Sequence, residues 1–319
     1  MTPEPVDFCG LELAHPIING SGTFDAIAAR KAFGDAVLDA FPFSAFVSKT
    51  ITLHPREGNP PPRLWETPAG MINSIGLPNR GLDGYLEHDL PQLAQLPVPL
   101  ITNVMGSTED EVAQLVEAVS GRDEIAAIEL NVSCPNVRTG LDIGADPASL
   151  AALIRAVRPL TSKPLIVKLT PNTADVAAVA VAAESEGADA VSLINTLRAM
   201  ALDPAAPAGA RAPWLGGGTG GLSGPAVRAV ALAQVAAVAT RVAIPIIGMG
   251  GVGSGKHAQD LMSAGATLIG VGTETFRDAA AGSRIAAELK SLQIAGSPST
   301  RLNTHRPQVE VDMNSLDST

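Results

Sequence analysis

Eight short apolar runs recur along the chain, and alanine-rich segments with helical spacing separate them. Several runs are apolar at nearly every position, which is typical of parallel strands buried on both faces. The predicted strands are Pro16–Asn19, Ala45–Lys49, Leu100–Asn103, Ala127–Asn131, Leu165–Leu169, Ala190–Asn195, Pro245–Gly248 and Leu268–Val271. This alternation of strand and helix predicts an α/β protein, a closed (β/α)8 TIM barrel rather than an open doubly wound sheet.

Helix-starting signals lie between the predicted strands. Thr108 and Glu111 form a capping box ahead of Val112–Val119, because their side chains can accept hydrogen bonds from free N–H groups of the first turn. Asp146 followed by proline opens a helix over Ala148–Val157. The other predicted helices run from Thr173 to Gly187, over Pro225–Ala239 and over Lys256–Ala264.

Other segments lie outside the repeating units. Val6–Phe8 and Leu11–Leu13 flank a short turn and predict an N-terminal hairpin that caps the barrel floor. The connections Thr50–Leu96 and Thr196–Gly224 are expected to be long active-site loops, since loops of this length in a compact domain are usually functional. The second connection contains Pro204–Gly218, whose Ala, Gly and Pro content predicts mobility.

Composition narrows the classes of partner and site. The 319 residues carry a formal net charge of −10, which argues against a nucleic-acid partner. No apolar stretch reaches the ~18 residues of a membrane span, so no membrane association is expected. The two cysteines, Cys9 and Cys134, exclude a disulfide scaffold, a cysteine zinc site and an iron–sulfur cluster within the chain. We therefore expect a reduced, cytoplasmic protein without a metal site.

Polar side chains follow five of the predicted strands, at the end where barrel enzymes build their sites. These residues are Lys49, Asn103, Asn131, Lys168 and Asn195. Each by itself is most simply a strand end in contact with water. Together they offer two cations and three amides, a set that suits an anionic ligand with amide groups, because Asn both donates and accepts.

Cys134 lies in the polar segment Asn131–Asn136, just after a predicted strand. A thiol there can act as a nucleophile or as a general base, whereas most lone cysteines are inert core residues. A cysteine protease would use a histidine partner, and the five histidines stand in no recognisable partner motif. The general-base interpretation is therefore the better one.

Two glycine clusters follow the seventh and eighth predicted strands. Gly248–Gly253 matches the dinucleotide pattern G-x-G-x-x-G, but no acidic strand end follows at the expected spacing. Gly250–Lys256 nearly spells a P-loop, but His257 stands where a magnesium-binding hydroxyl belongs. With Val271–Thr273, these glycines better fit the phosphate site of a barrel. A ligand with a single phosphate, such as FMN, suits that site.

Seven motifs make the chain resemble class 1 dihydroorotate dehydrogenases, most of all the catalytic subunit of class 1B. They are Lys49–Arg63, Glu66–Met71, Asn73–Leu77, Asn131–Asn136, Ile194–Thr196, Thr219–Gly224 and Gly248–Gly251. The cysteine in the N-x-S-C-P-N motif separates class 1 from the membrane-associated class 2, which has serine there. The run Lys49–Arg63 favours class 1B over class 1A.

The resemblance implies oxidation of dihydroorotate to orotate in de novo pyrimidine (UMP) biosynthesis. It implies an FMN-binding barrel over residues 1–296 and assigns Cys134 as the base at carbon 5 of the substrate. Beyond Gly296 the sequence turns polar and weakly patterned, which predicts a flexible tail over residues 297–319. The implied substrate residues are Lys49, Asn73, Ser74, Ile75, Gly76, Leu77, Asn131, Asn195 and Thr196. The implied FMN residues are Ser21, Lys49, Thr50, Asn103, Asn131, Lys168, Ile194, Gly224, Gly250, Gly251, Gly272 and Thr273.

The resemblance also implies that electrons pass to NAD through a partner subunit with FAD and an iron–sulfur cluster. The expected assembly is a homodimer, or a heterotetramer with that partner. The alternatives are a fumarate-linked class 1A enzyme, a dehydrogenase for a related dihydropyrimidine, a nucleotide-binding module that uses Gly250–Lys256, and an inactive scaffold barrel.

Overall fold

Eight parallel strands form one sheet that wraps into a barrel in the computed structural model, which describes residues 5–132 and 143–296. Two short antiparallel strands, β1 (Val6–Phe8) and β2 (Leu11–Leu13), precede it. The barrel strands are β3 (Ile17–Asn19), β4 (Phe46–Val47), β7 (Leu100–Val104), β8 (Ala127–Asn131), β9 (Leu165–Lys168), β10 (Ala190–Leu193), β13 (Ile246–Met249) and β14 (Leu268–Val271). Each overlaps a predicted strand, and the predicted (β/α)8 fold class is confirmed. The predicted tail 297–319 lies outside the described residues.

Alternation along the strands separates the barrel interior from the layer beneath the helices. In β8, Ala127 packs with the interior cluster of the barrel, whereas Ile128 and Leu130 pack with the larger cluster that includes helix residues. Glu129 and Asn131 follow Ala127 at spacings of two and therefore share its inward face. The same alternation places Lys168 above Ile166 in β9. The interior is consequently apolar at the floor and polar at the carboxyl ends of the strands.

Helices cover the outside of the barrel, and their first turns explain where they begin. The helices are α1 (Ala26–Phe33), α2 (Ala36–Asp39), α3 (Gly81–Gly84), α4 (Leu90–Leu93), α5 (Glu109–Ser120), α6 (Pro147–Val157), α7 (Val176–Ser185), α8 (Arg228–Ala239), α9 (Gly255–Ser263) and α10 (Ala281–Gly296). The predicted caps of α5 and α6 are confirmed, since Thr108 accepts from Glu111 N at 3.2 Å and Asp146 from Ser149 N at 2.8 Å.

Two predicted helix starts are wrong by one short turn. Helix α7 begins at Val176 rather than Thr173, because Asp175 caps it by accepting from Ala178 N at 3.0 Å. The Thr173 hydroxyl instead donates to the carbonyl of Ala145 at 3.0 Å. Residues Pro225–Val227 form a separate 3-10 turn, and α8 begins only at Arg228.

The N-terminal hairpin closes the floor of the barrel, as predicted. Phe8 and Leu13 have no exposed surface and pack into the interior cluster with Ala190 and Leu268. The Cys9 thiol donates to the carbonyl of Asp189 at 3.4 Å, at the start of β10. This hairpin therefore supplies apolar volume that the short strands alone do not provide.

A side chain joins the first and last strands of the sheet order, β3 and β4. The Asn19 amide donates to the carbonyl of Val47 and accepts from its N–H, both at 2.8 Å. Nearer the barrel floor, at the starts of the same two strands, Ser44 N donates to the carbonyl of Ile17 at 3.0 Å. Asn19 thus replaces a backbone pairing at the seam of the barrel.

A second sheet of four antiparallel strands forms from the two long connections that the sequence predicted as loops. Its strands are β5 (Leu64–Thr67), β6 (Gly70–Asn73), β11 (Leu197–Ala199) and β12 (Gly220–Ser223), in the order β11-β12-β6-β5. The pairing of β6 with β12 joins the two connections within one sheet. The loop prediction is corrected on this point, because these strands depend on a partner distant in the sequence.

The segment Pro204–Gly218 returns to the first connection. Gly216 N donates to the carbonyl of Pro62 at 2.9 Å, and Leu215 is buried. The Trp65 and Trp214 rings meet edge to face with centroids 5.4 Å apart. Within the described ranges, no helix is both long enough and apolar enough to cross a membrane.

Candidate active site

A layer of buried polar side chains fills the barrel interior just below its mouth. Asn103, Glu129, Lys168 and Ser192 are each at most 6% exposed. Glu129 accepts hydrogen bonds through both oxygens, from Asn103 Nδ2 at 2.5 Å and from Ser192 Oγ at 2.8 Å. Lys168 forms no ion pair with any side chain in the described ranges, although a buried ammonium is costly unless it is compensated. The layer therefore combines an uncompensated cation with amide and hydroxyl groups.

A second group of predicted residues meets between β3, β4 and β8. Ser21 Oγ donates to the carbonyl of Ser48 at 2.7 Å and lies 3.5 Å from Thr50 Oγ1. Asn131 Nδ2 donates to Thr50 Oγ1 at 3.2 Å. Three residues that the family resemblance assigned to FMN, from three separate strands, are thus in contact.

The glycine clusters line the mouth at the ends of β13 and β14. Gly250 and Gly251 have φ values of 133° and 67°, which side chains rarely adopt. A Cβ at Gly251 would lie 2.9 Å from the carbonyl oxygen of Gly224, so this loop approaches the end of β12 closely. At Gly272 the position of a Cβ has one neighbour within 4 Å, Thr23 Cγ2 at 3.7 Å. The backbone at Gly272 is therefore open to a ligand that needs close approach.

Neighbouring polar groups fix this glycine loop. Thr273 Oγ1 donates to Ser223 Oγ at 2.8 Å and links the end of β14 to β12. His257 Nδ1 accepts from Gly253 N at 3.2 Å, and burial lowers the pKa of His257, which keeps the accepting nitrogen unprotonated. Lys256 pairs with Asp260 on the same helix. That pairing weakens the nucleotide-module alternative, in which Lys256 would contact phosphate.

The second sheet positions three of the predicted substrate residues. Asn73 Nδ2 donates to the carbonyl of Gly221 at 3.3 Å, and a Cβ at Gly221 would lie 1.9 Å from Thr196 Oγ1. Ser74 Oγ donates to the carbonyl of Thr219 at 2.8 Å. Strands β6 and β12 therefore bring together residues from both long connections.

The turn Ile75–Leu77 has a strained backbone that neighbours hold in place. Gly76 and Leu77 have φ values of 76° and 56°. A Cβ at Gly76 would lie 2.5 Å from Asn59 N, whose N–H donates to the carbonyl of Ile75 at 3.0 Å. Non-glycine residues at positive φ cost energy and are frequent in functional sites. Asn59 Nδ2 also donates to Ser74 Oγ at 2.9 Å and so braces the turn.

Lys49 has an exposed side chain at the rim of a cavity of about 480 Å³. The cavity is also lined by Phe46, Thr50, Tyr85 and Asp89. Burial raises the pKa of Tyr85 to about 12, and its hydroxyl lies 2.8 Å from Thr102 Oγ1. Burial also raises the pKa of Asp89. Lys49 is therefore the predicted site cation that remains in contact with solvent.

The predicted base, Cys134, belongs to residues 133–142 and lies outside the described residues. The strand that leads to it is described, and it ends at Asn131 on the inward face of the barrel. Asn195, another predicted substrate residue, accepts from Thr196 N through Oδ1 at 2.8 Å.

Comparison with known proteins identifies the family. Residues 5–292 match the family model described as Dihydroorotate dehydrogenase. The chain belongs to the dihydroorotate dehydrogenase family. It is 44% identical over 290 residues to "Dihydroorotate dehydrogenase B (NAD(+)), catalytic subunit" of Citrifermentans bemidjiense, which covers 91% of this chain and 92% of the relative. The protein of the same name from Desulforudis audaxviator is 45% identical over 289 residues, 89% of this chain and 91% of the relative.

These matches confirm the resemblance to class 1B dihydroorotate dehydrogenases that the motifs indicated. In this dihydroorotate dehydrogenase barrel, three residues of the site were not predicted from the sequence: Glu129, Ser192 and Asn59. The first two share an inward face with Ala127 and Ala190, and a spacing of two along each strand is the signal that identifies them. The bracing role of Asn59 has no such signal, because it depends on a contact between two turns.

Proposed function

We propose that this chain is the catalytic subunit of an FMN-dependent, NAD-linked dihydroorotate dehydrogenase, which oxidises dihydroorotate to orotate in pyrimidine biosynthesis. The observation that supports this most strongly is 44% identity over 91% of the chain to a relative named as such a catalytic subunit. The polar layer and the open glycine backbone at one barrel mouth agree with it.

The donor set at the mouth fits FMN. Lys168 is a buried cation suited to negative charge on a reduced flavin, where a preorganised charge acts strongly because water is excluded. Asn103 Oδ1 is buried and accepts no hydrogen bond from the described residues, so an acceptor is available to a ligand. The loops at Gly250–Gly251 and Gly272–Thr273 are where barrels bind phosphate through backbone N–H groups.

The remaining predicted residues suit dihydroorotate, which has a carboxylate and a ring with imide-type groups. Lys49 provides the cation for the carboxylate, and the Asn73, Asn131 and Asn195 amides provide donors and acceptors for the ring. The Cys134 thiolate takes the proton from carbon 5 of the substrate, and the sulfur holds that proton as the double bond forms. FMN held by these residues would supply the acceptor for the hydride that leaves carbon 6.

The onward electron path requires a second subunit. With two cysteines in the whole chain, a cluster that needs several thiolate ligands has no place here. We infer that a partner with FAD and an iron–sulfur cluster passes electrons to NAD, in a heterotetramer built on a homodimer of this chain. The cysteine usage supports a cytoplasmic location.

The decisive experiment compares Cys134→Ala with the matched control Cys9→Ala. Cys9 is a suitable control because it lies at the barrel floor. We expect Cys134→Ala to retain FMN and lose steady turnover of dihydroorotate, and Cys9→Ala to keep turnover. Wild-type activity should rise as the pH approaches the ordinary thiol pKa of about 8.5, because the thiolate is the base. Near-normal turnover of Cys134→Ala contradicts the assigned base.

The same preparation separates the alternative functions. NAD reduction that requires the partner supports class 1B, whereas fumarate reduction without a partner supports class 1A. Faster turnover of dihydrouracil than of dihydroorotate indicates a different dihydropyrimidine substrate. Protein that stays colourless after FMN is added and that binds ATP supports a nucleotide-binding module instead.

A further inference from the structure

Glu129 is a buried acid that the proposed reaction does not use. It is 1% exposed and lies in the polar layer between strands β7 and β10. Its Oε1 accepts from Asn103 Nδ2 at 2.5 Å, and its Oε2 accepts from Ser192 Oγ at 2.8 Å. A carboxyl group in such a position is costly to bury, so a specific use for it is expected.

The chemistry of the contact determines how the Asn103 amide is oriented. The Asn103 amide has one donating and one accepting end, and its donating nitrogen contacts Glu129 Oε1. The NH2 group of Asn103 must therefore face Glu129, and Oδ1 must face the other way. Asn103 Oδ1 is buried and has no hydrogen-bond partner within the described ranges. A buried acceptor without a donor loses its solvation and gains nothing in return.

Two further contacts hold this arrangement in place. Ser192 restrains the carboxyl group from the far side, since its hydroxyl donates to Oε2. The backbone of Asn103 is fixed separately, because its N–H donates to Ser48 Oγ at 3.0 Å. With the backbone fixed, the Asn103 amide group can still turn by about 180°. That turn would put its NH2 group where Oδ1 now lies.

We propose that Glu129 is a positioning residue that keeps the Asn103 acceptor directed at an N–H group of bound FMN. The inference rests on the proposed function, since it takes the flavin as the ligand of the mouth. Glu129 acts through Asn103 and does not itself touch the cofactor. Without Glu129, the Asn103 NH2 group has no acceptor behind it, so the amide turns that group toward the mouth and places an N–H against the flavin N–H.

The test measures FMN affinity of the apoprotein by quenching of FMN fluorescence, with thermal unfolding of each apoprotein as a check on folding. Glu129→Leu removes the acceptor, and we expect it to weaken FMN binding at least about tenfold. Glu129→Gln still accepts from Asn103 and donates to Ser192, so its affinity should stay within about threefold of wild type. Ser120→Ala is the matched control, because Ser120 lies in α5 on the outside of the barrel and its hydroxyl donates to Thr161 Oγ1. Its affinity should also stay within about threefold of wild type.

A double-mutant cycle distinguishes positioning from a general structural role. Asn103→Leu should weaken FMN binding about as much as Glu129→Leu, and the double variant should be no weaker than Asn103→Leu alone. Glu129→Ala replaces Glu129→Leu in the cycle if the leucine variant does not fold. Additive losses in the cycle overturn the inference, as does a Glu129→Gln variant as weak as Glu129→Leu.

The two proposals fail in different ways. Wild-type apoprotein that binds no FMN overturns the proposed function, and the inference about Glu129 with it. Wild-type protein that binds FMN and oxidises dihydroorotate, with Glu129→Leu equal to it in affinity, overturns only the positioning role.

Discussion

Gly221 in β12 allows the closest approach in the candidate substrate site, and its replacement makes a sharp test. A Cβ at this position would lie 1.9 Å from Thr196 Oγ1 and 2.5 Å from Thr196 Cβ. Rotation of the Thr196 side chain moves Oγ1 but leaves its Cβ in place. Ordinary contacts between such atoms are about 3.5 to 4.0 Å, so Gly221→Ala must displace the Thr196 backbone by roughly 1 Å.

That displacement sets the expected effect on activity. Misplacement of a substrate-positioning group by about 1 Å costs up to about 100-fold in rate, which corresponds to about 2.7 kcal/mol. We expect Gly221→Ala to lower kcat/KM for dihydroorotate by about 100-fold while FMN stays bound. Steady-state assays over a range of dihydroorotate concentrations, with flavin content from absorbance, measure both quantities.

Two controls separate local displacement from a general defect. Gly121→Ala should leave kcat/KM unchanged, because the nearest atoms to its Cβ lie at 3.9 and 4.0 Å. In a Thr196→Gly background, adding Gly221→Ala should cost no more than about threefold, since the two clashing atoms are gone. A full 100-fold loss in that background, or normal activity of Gly221→Ala itself, refutes the argument.

Three further predictions concern the hairpin at the barrel floor, the histidine that precedes β3 and the buried lysine. Phe8→Ala should lower the free energy of unfolding by about 3 to 5 kcal/mol in denaturant titrations, with turnover retained. A loss below about 1 kcal/mol contradicts the inference that Phe8 fills the barrel floor. Burial lowers the pKa of His15, whose Nδ1 accepts from Ile17 N at 3.3 Å, so stability should fall as the pH drops below about 6.5. His15→Asn should show a smaller fall between pH 7 and 5; an equal fall excludes His15 as its source. Lys168→Met should lower the midpoint potential of bound FMN in a redox titration. An unchanged potential contradicts the proposal that Lys168 stabilises negative charge on the reduced flavin.

The eight barrel strands were predictable because a parallel strand covered on both faces is apolar throughout, a property of each local segment. The caps of α5 and α6 were predictable for the same reason, since Thr108 and Asp146 lie within a few residues of the groups they bind. The start of α7 was missed because two plausible caps compete there. Thr173 bonds to Ala145, a choice that depends on a contact between two loops.

The sequence by itself determined the fold class, the family and the identity of the polar groups at the strand ends. It did so because burial on a strand and the chemistry of a motif are both properties of neighbouring residues. Only the tertiary structure decided how those groups are used. The pairing of β6 with β12 places Asn73 beside Gly221 and Thr196, and the curvature of the barrel brings Ser192 of β10 to Glu129 of β8. Such contacts join distant residues, and the direction of each hydrogen bond is set only when both partners are in place.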